Sequence, residues 1–376
     1  MRGALLVSAL VSSVVILLII GFLFKEGFGL FGKSPVEEGL VVLVHPASGV
    51  ESVTPEQVRG LMDQTLVDLS EVGGDPFRVT PLDYDDLDDD QESLVALIAD
   101  TPGGIGAVFE EDLEEPHGPV TLLQVDAVSL RSFFTGKAWY PTAEPVAQLG
   151  ILALILGSLM VTVGAIAIAL PVGLAAAVYI SEIADPKVKN LLKPVIEILA
   201  GIPSVVYGFF GLVVLVPRLQ SAFNLQVGET ALAGMIMLAI MALPTVISVS
   251  EYSLAAVPRA YREGSLALGA TRGETILKVV IPSAFSGISA AAMLGVGRAV
   301  GETMTVLMVT GNAAQIPTTF LQPVRTLTAT ITAELGVGPI GGTHHEPLFA
   351  IAITLFVMTF VINLIADLVQ SRVREA

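Results

Sequence analysis

Two ionisable residues, Arg298 and Glu302, lie four positions apart inside a long apolar stretch, 283–311. Ionisable groups are expensive within a membrane, so residues of this kind inside a span indicate a functional site. If the stretch forms one helix, this spacing places both side chains on one face, close enough to pair. The planar guanidinium group suits the oxygens of an oxyanion. A purely structural ion pair within the membrane is the alternative.

Four neutral residues are further candidates for lining the same site. Thr303 and Asn312 offer a hydroxyl and an amide donor close to the charged pair. Tyr207 and Ser204 follow Pro203 in another apolar stretch. A helix kink with packed side chains explains Tyr207 and Ser204 equally well. The sequence predicts no catalytic residue, no bound cofactor and no metal site.

The stretch Gly27–Ser34 matches the phosphate-binding pattern G-x-x-x-x-G-K-[ST]. That pattern binds nucleotides only where a strand precedes the loop and a helix follows it. Here the preceding run, 4–24, is apolar and far too long for a strand, and Pro35 follows directly. The sequence therefore predicts a glycine-rich exit from a membrane span. A chain that itself hydrolyses ATP remains the alternative, which nucleotide binding by the isolated subunit would support.

The composition is that of an integral membrane protein. Of 376 residues, 53% are hydrophobic and only 15% are charged, whereas soluble proteins have about a quarter charged. The net charge of −17 is concentrated in one segment, because residues 25–148 contain 24 acidic and 6 basic side chains. Nucleic acid is therefore excluded as a partner of this segment. With no cysteine, the chain has neither disulfides nor thiolate metal sites.

Six segments are long and apolar enough to cross a membrane as helices. They are 4–24, 149–180, 191–216, 230–250, 283–311 and 347–369. We interpret residues 1–25 as a retained anchor, since no convincing cleavage site for a signal peptide precedes Lys25. Basic residues outside the spans fall on one side if the spans alternate, which predicts cytoplasmic termini. Residues 26–147 are then extracytoplasmic.

The segment 26–147 has the pattern of a small α/β domain. A strand is predicted at 39–45, and Thr54 and Pro55 predict the start of a helix. Further strands are predicted at 77–79 and 120–125, and a helix at 93–99. The Asp-rich run 83–90 lacks the glycine and glutamate of a calcium-binding loop, so we interpret it as a solvated acidic loop.

The loop between the fourth and fifth spans is rich in small residues. Glycine at position 269 predicts two short helices joined by a close turn. Small side chains at Gly264 and Ser265 would let a partner surface approach. Glu263, Gly269 and Pro282 stand at the offsets of the EAA loop of ABC importer permeases, which this loop resembles, although Gly264 and Ser265 replace the usual alanines. An amphipathic loop packed on the membrane surface is the alternative.

This resemblance implies that the loop, within 251–282, docks into a separate ATP-hydrolysing subunit. The chain would then be a permease and not an enzyme. Segments 199–208 (LAGIPSVVYG) and 297–304 (GRAVGETM), with Gly311 and Asn312, narrow the resemblance to PstC-type permeases of phosphate importers. The implied fold is an all-α polytopic protein of the inner membrane, with six transmembrane helices and a permease core at 148–376.

The resemblance also implies the partners. These are a second permease (PstA-like), a dimeric ATP-binding subunit (PstB-like), an extracytoplasmic phosphate-binding protein (PstS-like) and membrane lipid. Arg298 and Glu302 would then line the phosphate path. Three alternatives remain open: the sister PstA-type subunit, a permease for molybdate or sulfate, and a membrane sensor.

One feature departs from the family pattern. PstC-type permeases have a short loop between their first two spans, where this chain has about 120 residues. Segments 52–57, 70–74 and 102–106 resemble parts of the periplasmic phosphate-binding protein. The Asp-rich run stands where that protein grips its anion, and it would repel a dianion. We therefore expect the insert to be a degenerate docking or scaffold domain.

Overall fold

The computed structural model describes residues 2–87, 93–114, 119–336 and 345–375. The chain divides into two compact units. The first unit comprises Met1–Leu152 and Pro339–Ala350, and the second comprises Ala153–Gly338 and Ile351–Ala376. We call the second the helical unit.

The first unit combines one long helix with short helices and strands. In chain order its elements are α1 (Arg2–Phe28), β1 (Leu40–Val44), β2 (Ser52–Val53), α2 (Pro55–Met62), β3 (Thr80–Leu82), α3 (Leu94–Asp100), β4 (Gly104–Phe109), β5 (Thr121–Leu122), β6 (Gln124–Val125), α4 (Leu130–Thr135), β7 (Trp139–Tyr140) and β8 (Gln148–Leu149). Helix α1 is apolar and its apolar side chains are largely exposed, as expected of a span that faces lipid.

A four-stranded sheet in the order β3-β4-β1-β5 organises this unit. β1 runs antiparallel to β4, with Leu40 opposite Phe109. Successive side chains of a strand point to opposite faces, and both faces of β1 are buried: Val42 and Val44 join one apolar cluster, and Leu43 joins another. This double burial explains why 39–45 is a continuous apolar run.

Several local predictions for the first unit are confirmed. Thr54 caps α2 through a reciprocal pair of hydrogen bonds with Gln57, and α3 begins directly after Ser93. The strand predicted at 77–79 is wrong in position, because β3 begins at Thr80 and pairs with β4. Residues 88–90 of the Asp-rich run lie outside the described residues.

The main elements of the helical unit are α-helices. In chain order they are α5 (Leu152–Val178), α6 (Pro186–Ala200), α7 (Ser204–Phe210), α8 (Val216–Phe223), α9 (Ala231–Ala255), α10 (Arg259–Ala267), α11 (Arg272–Thr275), α12 (Ile281–Ser283), α13 (Phe285–Val300), α14 (Met304–Val309), α15 (Leu327–Glu334) and α16 (Glu346–Glu375), of which α5 and α16 each begin in the first unit. A wider π-helical turn extends α5 to Ile183, and another joins α7 to α8.

Within the described residues, five helices are long and apolar enough to cross a membrane. The third span differs from the predicted 191–216, because α6 ends at Ala200 and the span is Ser204–Phe223. The physical reason lies in Pro203, which lacks a backbone N–H and keeps the preceding residue out of helical conformation.

The fifth predicted span is broken twice. The helical segments Arg272–Ser283 and Phe285–Val300 are bent by 70° against each other, and they form a sixth span only if the bent pair counts as one. α13 then ends at Val300 and the chain becomes helical again at Met304. The expected single helix over 283–311 is therefore wrong, and both breaks affect the candidate site.

Candidate functional site

Arg298 lies in the last turn of α13 and is partly buried. Its Nη1 donates a long hydrogen bond of 3.4 Å to Thr245 Oγ1 on α9. Of the ion pairs among the described residues, none involves Arg298. The guanidinium group therefore keeps most of its hydrogen-bonding capacity for another partner.

Glu302 has a different role from the one expected. α13 has ended before it, and its Oε1 accepts a hydrogen bond of 3.1 Å from the backbone N–H of Thr305, in the first turn of α14. A carboxylate in this position satisfies an unpaired N–H and stabilises the positive end of a helix. The predicted pairing with Arg298 on one helix face is wrong, because no continuous helix joins the two residues.

Buried Thr305 links Glu302 to another predicted residue, Ser204. Thr305 Oγ1 donates to the backbone carbonyl of Ser204 at 3.0 Å, which ties α14 to the first residue of α7. A further hydroxyl, that of Thr328 in α15, donates to the Glu302 carbonyl at 2.8 Å. Thr303 makes only a local contact, since its hydroxyl donates to the Gly301 carbonyl at 3.4 Å. Thr245, Thr305 and Thr328 were not predicted from the sequence, because threonines in apolar helices carry no distinctive spacing.

Tyr207 is buried, and its hydroxyl donates to the carbonyl of Leu199 at 2.8 Å. This bond spans the break between α6 and α7. Tyr207 also belongs to the same buried apolar cluster as Ala299, the residue that follows Arg298. Asn312 is positioned past the other end of α14, where its Nδ2 donates to the Leu307 carbonyl at 2.7 Å. The structure thus places Tyr207 beside the last turn of α13, which carries Arg298, and the amide donor of Asn312 caps a helix.

The loop at 259–283 has the predicted geometry. α10 ends at Ala267, Gly269 has a φ of 88°, and α11 begins at Arg272. A left-handed residue is strained for any side chain with a Cβ, so this turn requires glycine. The hydroxyls of Ser265 and Thr275 lie 2.9 Å apart and join the two short helices.

The outer face of this loop is open. A Cβ added at Gly264 or Gly269 would meet no atom within 4 Å, and Leu268 is 91% exposed. Glu263 and Pro282 are exposed as well. An open concavity of about 640 Å³ follows this face; its lining includes Ala260, Tyr261, Gly264, Ser265, Leu268 and Gly269. Of the predicted residues of the loop, Gly264, half-buried Ser265 and Gly269 line this concavity, whereas Glu263 and Pro282 are exposed outside its lining.

The motif Gly27–Ser34 lies in a different context from a nucleotide site. α1 continues to Phe28, so a helix precedes the loop where a P-loop has a strand. Lys33, the residue that would bind phosphates, donates to Glu346 at 2.6 Å. This geometry fits a membrane exit.

The family model for the inner membrane component of binding-protein-dependent transport systems matches residues 169–375. The chain belongs to this family. The matched range contains the open loop, Arg298 and Glu302, and it begins after Leu152, where the N-terminal part of the first unit ends. Membership makes the chain a multi-pass component of the inner membrane, which confirms the predicted class.

Known relatives agree with the family. The chain is 43% identical over 249 residues to the probable ABC transporter permease protein YqgH of Bacillus subtilis, covering 66% of this chain and 80% of that protein. It is 34% identical over 261 residues to the phosphate transport system permease protein PstC of Mesorhizobium japonicum, covering 64% and 79%. A solved structure of the MetNI methionine ABC transporter matches 59% of this chain and 95% of that chain, at 19% identity and a TM-score of 0.48.

Proposed function

We propose that this chain is the PstC-type permease subunit of an ATP-driven phosphate importer. The observation that carries the proposal is Arg298, a permanent cation in the helical unit that has no ion-pair partner among the described residues. Relatives that are named PstC phosphate permeases support the choice of anion. The chain would form the path but hydrolyse no ATP itself.

The chemistry of the proposal follows from desolvation. A phosphate dianion that enters a low-dielectric path loses hydration, and a fixed positive group can replace part of it. The guanidinium fork binds two phosphate oxygens at once. A single arginine, supported by Thr245, would attract the anion without holding it so tightly that release stops. Tyr207, Ser204, Thr303, Asn312 and Glu302 would shape the wall of this path, with Glu302 acting through the cap of α14.

The remaining parts of the proposal concern partners and orientation. The open surface at Gly264–Gly269 would dock on a dimeric ATP-binding subunit of the PstB kind. A PstA-like permease would complete the path, and a PstS-like protein would deliver phosphate from outside. In this arrangement both termini are cytoplasmic, and residues 26–147 form an extracytoplasmic docking or scaffold domain.

The test is uptake of radioactive phosphate by proteoliposomes that contain the purified complex. The binding protein is added on the uptake side, and ATP is supplied on the side that the ATP-binding subunits face. We expect ATP-dependent accumulation of the label that a tenfold excess of unlabelled phosphate lowers roughly tenfold when the transporter is saturated, as simple competition requires, and that sulfate and molybdate leave unchanged. Accumulation of sulfate or molybdate in place of phosphate would assign the chain to another oxyanion. Absence of all three activities in an assembled, ATP-hydrolysing complex would contradict the proposal.

A further inference from the structure

Arg262 stands in the first turns of α10, within the loop that carries the open surface, yet its side chain is largely buried. Its Nη2 and Nε donate to the two carboxylate oxygens of Glu182, at 2.7 and 3.1 Å. Two parallel bonds of this kind fix direction as well as distance between the groups they join. Glu182 belongs to the turn Tyr179–Ile183, which continues α5. The pair therefore ties α10 to the end of a membrane span.

The same guanidinium group also binds the end of a second span. Arg262 Nη2 donates to the carbonyl of Leu254 at 2.8 Å, and Nη1 donates to the carbonyl of Val257. Leu254 lies in the last turn of α9, where carbonyls have no partner within the helix. One side chain thus connects the loop to α5 and α9 together.

α9 leads from Arg262 to the candidate anion site. It carries Thr245, which accepts the hydrogen bond of Arg298. Pro244 precedes Thr245 inside the helix and removes one backbone hydrogen bond there. The C-terminal end of α9 is therefore connected to Arg298 along a single helix, which lacks one backbone hydrogen bond beside the contact.

Other charged residues of the loop lack this connection. Arg259, in the same helix, is exposed and makes no hydrogen bond to a span among the described residues. Lys278 pairs with Glu274, four residues away within the loop itself. These two residues can be changed without cutting the link between the loop and α5.

We propose that Arg262 is a positioning residue that transmits movement of the docked loop to Arg298, both through Glu182, whose turn packs against α9, and through the end of α9 itself. The inference rests on the proposed function, since it assumes a partner that moves the loop. Energetic coupling of this kind needs a physical chain of contacts between two states, and the bonds of Arg262 supply such a chain. A buried pair that only stabilises the fold would have the same contacts but a different signature in kinetics.

The test compares Arg262→Ala and Glu182→Gln with the control Arg259→Ala, all in the assembled complex. The quantity measured is the number of anions taken up per ATP hydrolysed. We expect this ratio to fall roughly 2- to 30-fold in both variants, the range that coupling mutations cover, while Arg259→Ala stays near the wild type. The double variant Arg262→Ala/Glu182→Gln should lose no more than the worse single variant, because both changes cut one link.

Uptake and hydrolysis that fall in equal proportion, so that the ratio is unchanged, would overturn the inference and leave a structural pair. Glu182→Gln keeps the shape of the side chain, so it carries the test if Arg262→Ala reduces the amount of assembled complex. Arg262→Lys should restore part of the ratio, since it keeps the charge without the fork. A ratio as low as that of alanine would show that charge alone transmits nothing.

A second readout needs no transported anion. The chain has no cysteine, so spin labels can be placed at Ile183→Cys and Arg259→Cys, two exposed positions beside the pair. On ATP binding, the distribution of distances between the labels should stay unchanged in the wild type. In Glu182→Gln it should become broader or shift to longer distances. The same distance distribution in the wild type and in Glu182→Gln after ATP binding would overturn the inference. If the wild-type complex transports no phosphate but the labels respond as expected, the proposed substrate is wrong. The proposed role of Arg262 in linking the loop to the spans is then still supported.

Discussion

Arg262 and Arg298 carry the same charge in the same helical unit, but they differ in how completely they are paired. Arg262 forms two bonds to Glu182 and two to backbone carbonyls. Within the described part of the chain, Arg298 forms a single long hydrogen bond, to Thr245. A largely buried guanidinium group with most of its donors used connects elements of the fold, whereas one with free donors is available to a ligand. The difference separates a mechanical residue from a binding residue.

The largest effect is expected from removing the unpaired charge. Arg298→Ala should lower phosphate uptake by roughly 100-fold, the scale of losing about 3 kcal/mol of hydrogen bonding to a charged group. The measurement is uptake divided by the amount of inserted subunit. Because no ion pair of Arg298 is broken, we expect nearly normal abundance in the membrane. Abundance that falls as much as uptake would mean that Arg298 stabilises the fold and does not bind the anion.

A change in the docking turn should have the next largest effect. Gly269→Leu forces a branched side chain into a left-handed conformation, which costs about 1–3 kcal/mol. We expect uptake to fall roughly tenfold, in line with that strain, while the subunit remains inserted and hydrolysis no longer responds to phosphate. Gly273→Leu is the matched control, since Gly273 is equally open but lacks the positive φ. Normal phosphate-stimulated hydrolysis in Gly269→Leu would contradict the account.

Smaller effects are expected from variants of Glu302, which test whether this residue caps α14 or contributes to anion binding. Glu302→Gln keeps an oxygen that can accept from the Thr305 N–H, so uptake and stability should stay within about threefold and 1 kcal/mol of the wild type. Glu302→Ala removes the cap and should destabilise the subunit by about 1 kcal/mol. Thermal unfolding of the detergent-solubilised subunit measures the second effect. Much tighter phosphate binding in Glu302→Gln would instead support direct neutralisation of Arg298.

The smallest effect is expected at the single partner of Arg298. Thr245→Val preserves shape but removes the hydroxyl, and the lost bond is long at 3.4 Å. We expect the apparent affinity for phosphate to fall by no more than about fivefold, which corresponds to roughly 1 kcal/mol. Concentration dependence of uptake measures it. A loss as large as that of Arg298→Ala would mean that Thr245 itself binds the anion.

The sequence was informative where structure is set by nearby residues. The turn at Gly269 needs only a glycine between two short helical patterns, and the cap of α2 needs only Thr54 and Gln57. The turn at Gly269 and the start of α2 at Thr54 were both predicted correctly. The break before α7 also had a local signal in Pro203, but the long apolar run masked it.

Contacts between distant segments were not predictable in this way. α13 ends at Val300, and just beyond it Glu302 accepts hydrogen bonds from Thr328 and Thr305. Hydropathy continues through this region, so the sequence indicated one helix and an ion pair within it. The pair of Arg262 with Glu182 joins residues 80 positions apart. The spacing of residue types along the chain does not indicate that these two residues are close in space.

The most direct test of the central claim restores the charge of Arg298 by chemical modification. The chain has no cysteine, so Arg298→Cys introduces a unique thiol into this subunit. A methanethiosulfonate that adds an ammonium group should restore part of the phosphate uptake, and a neutral reagent of similar size should not. Near-normal uptake by unmodified Arg298→Cys, per inserted subunit, would contradict the claim that Arg298 provides the positive charge for the anion.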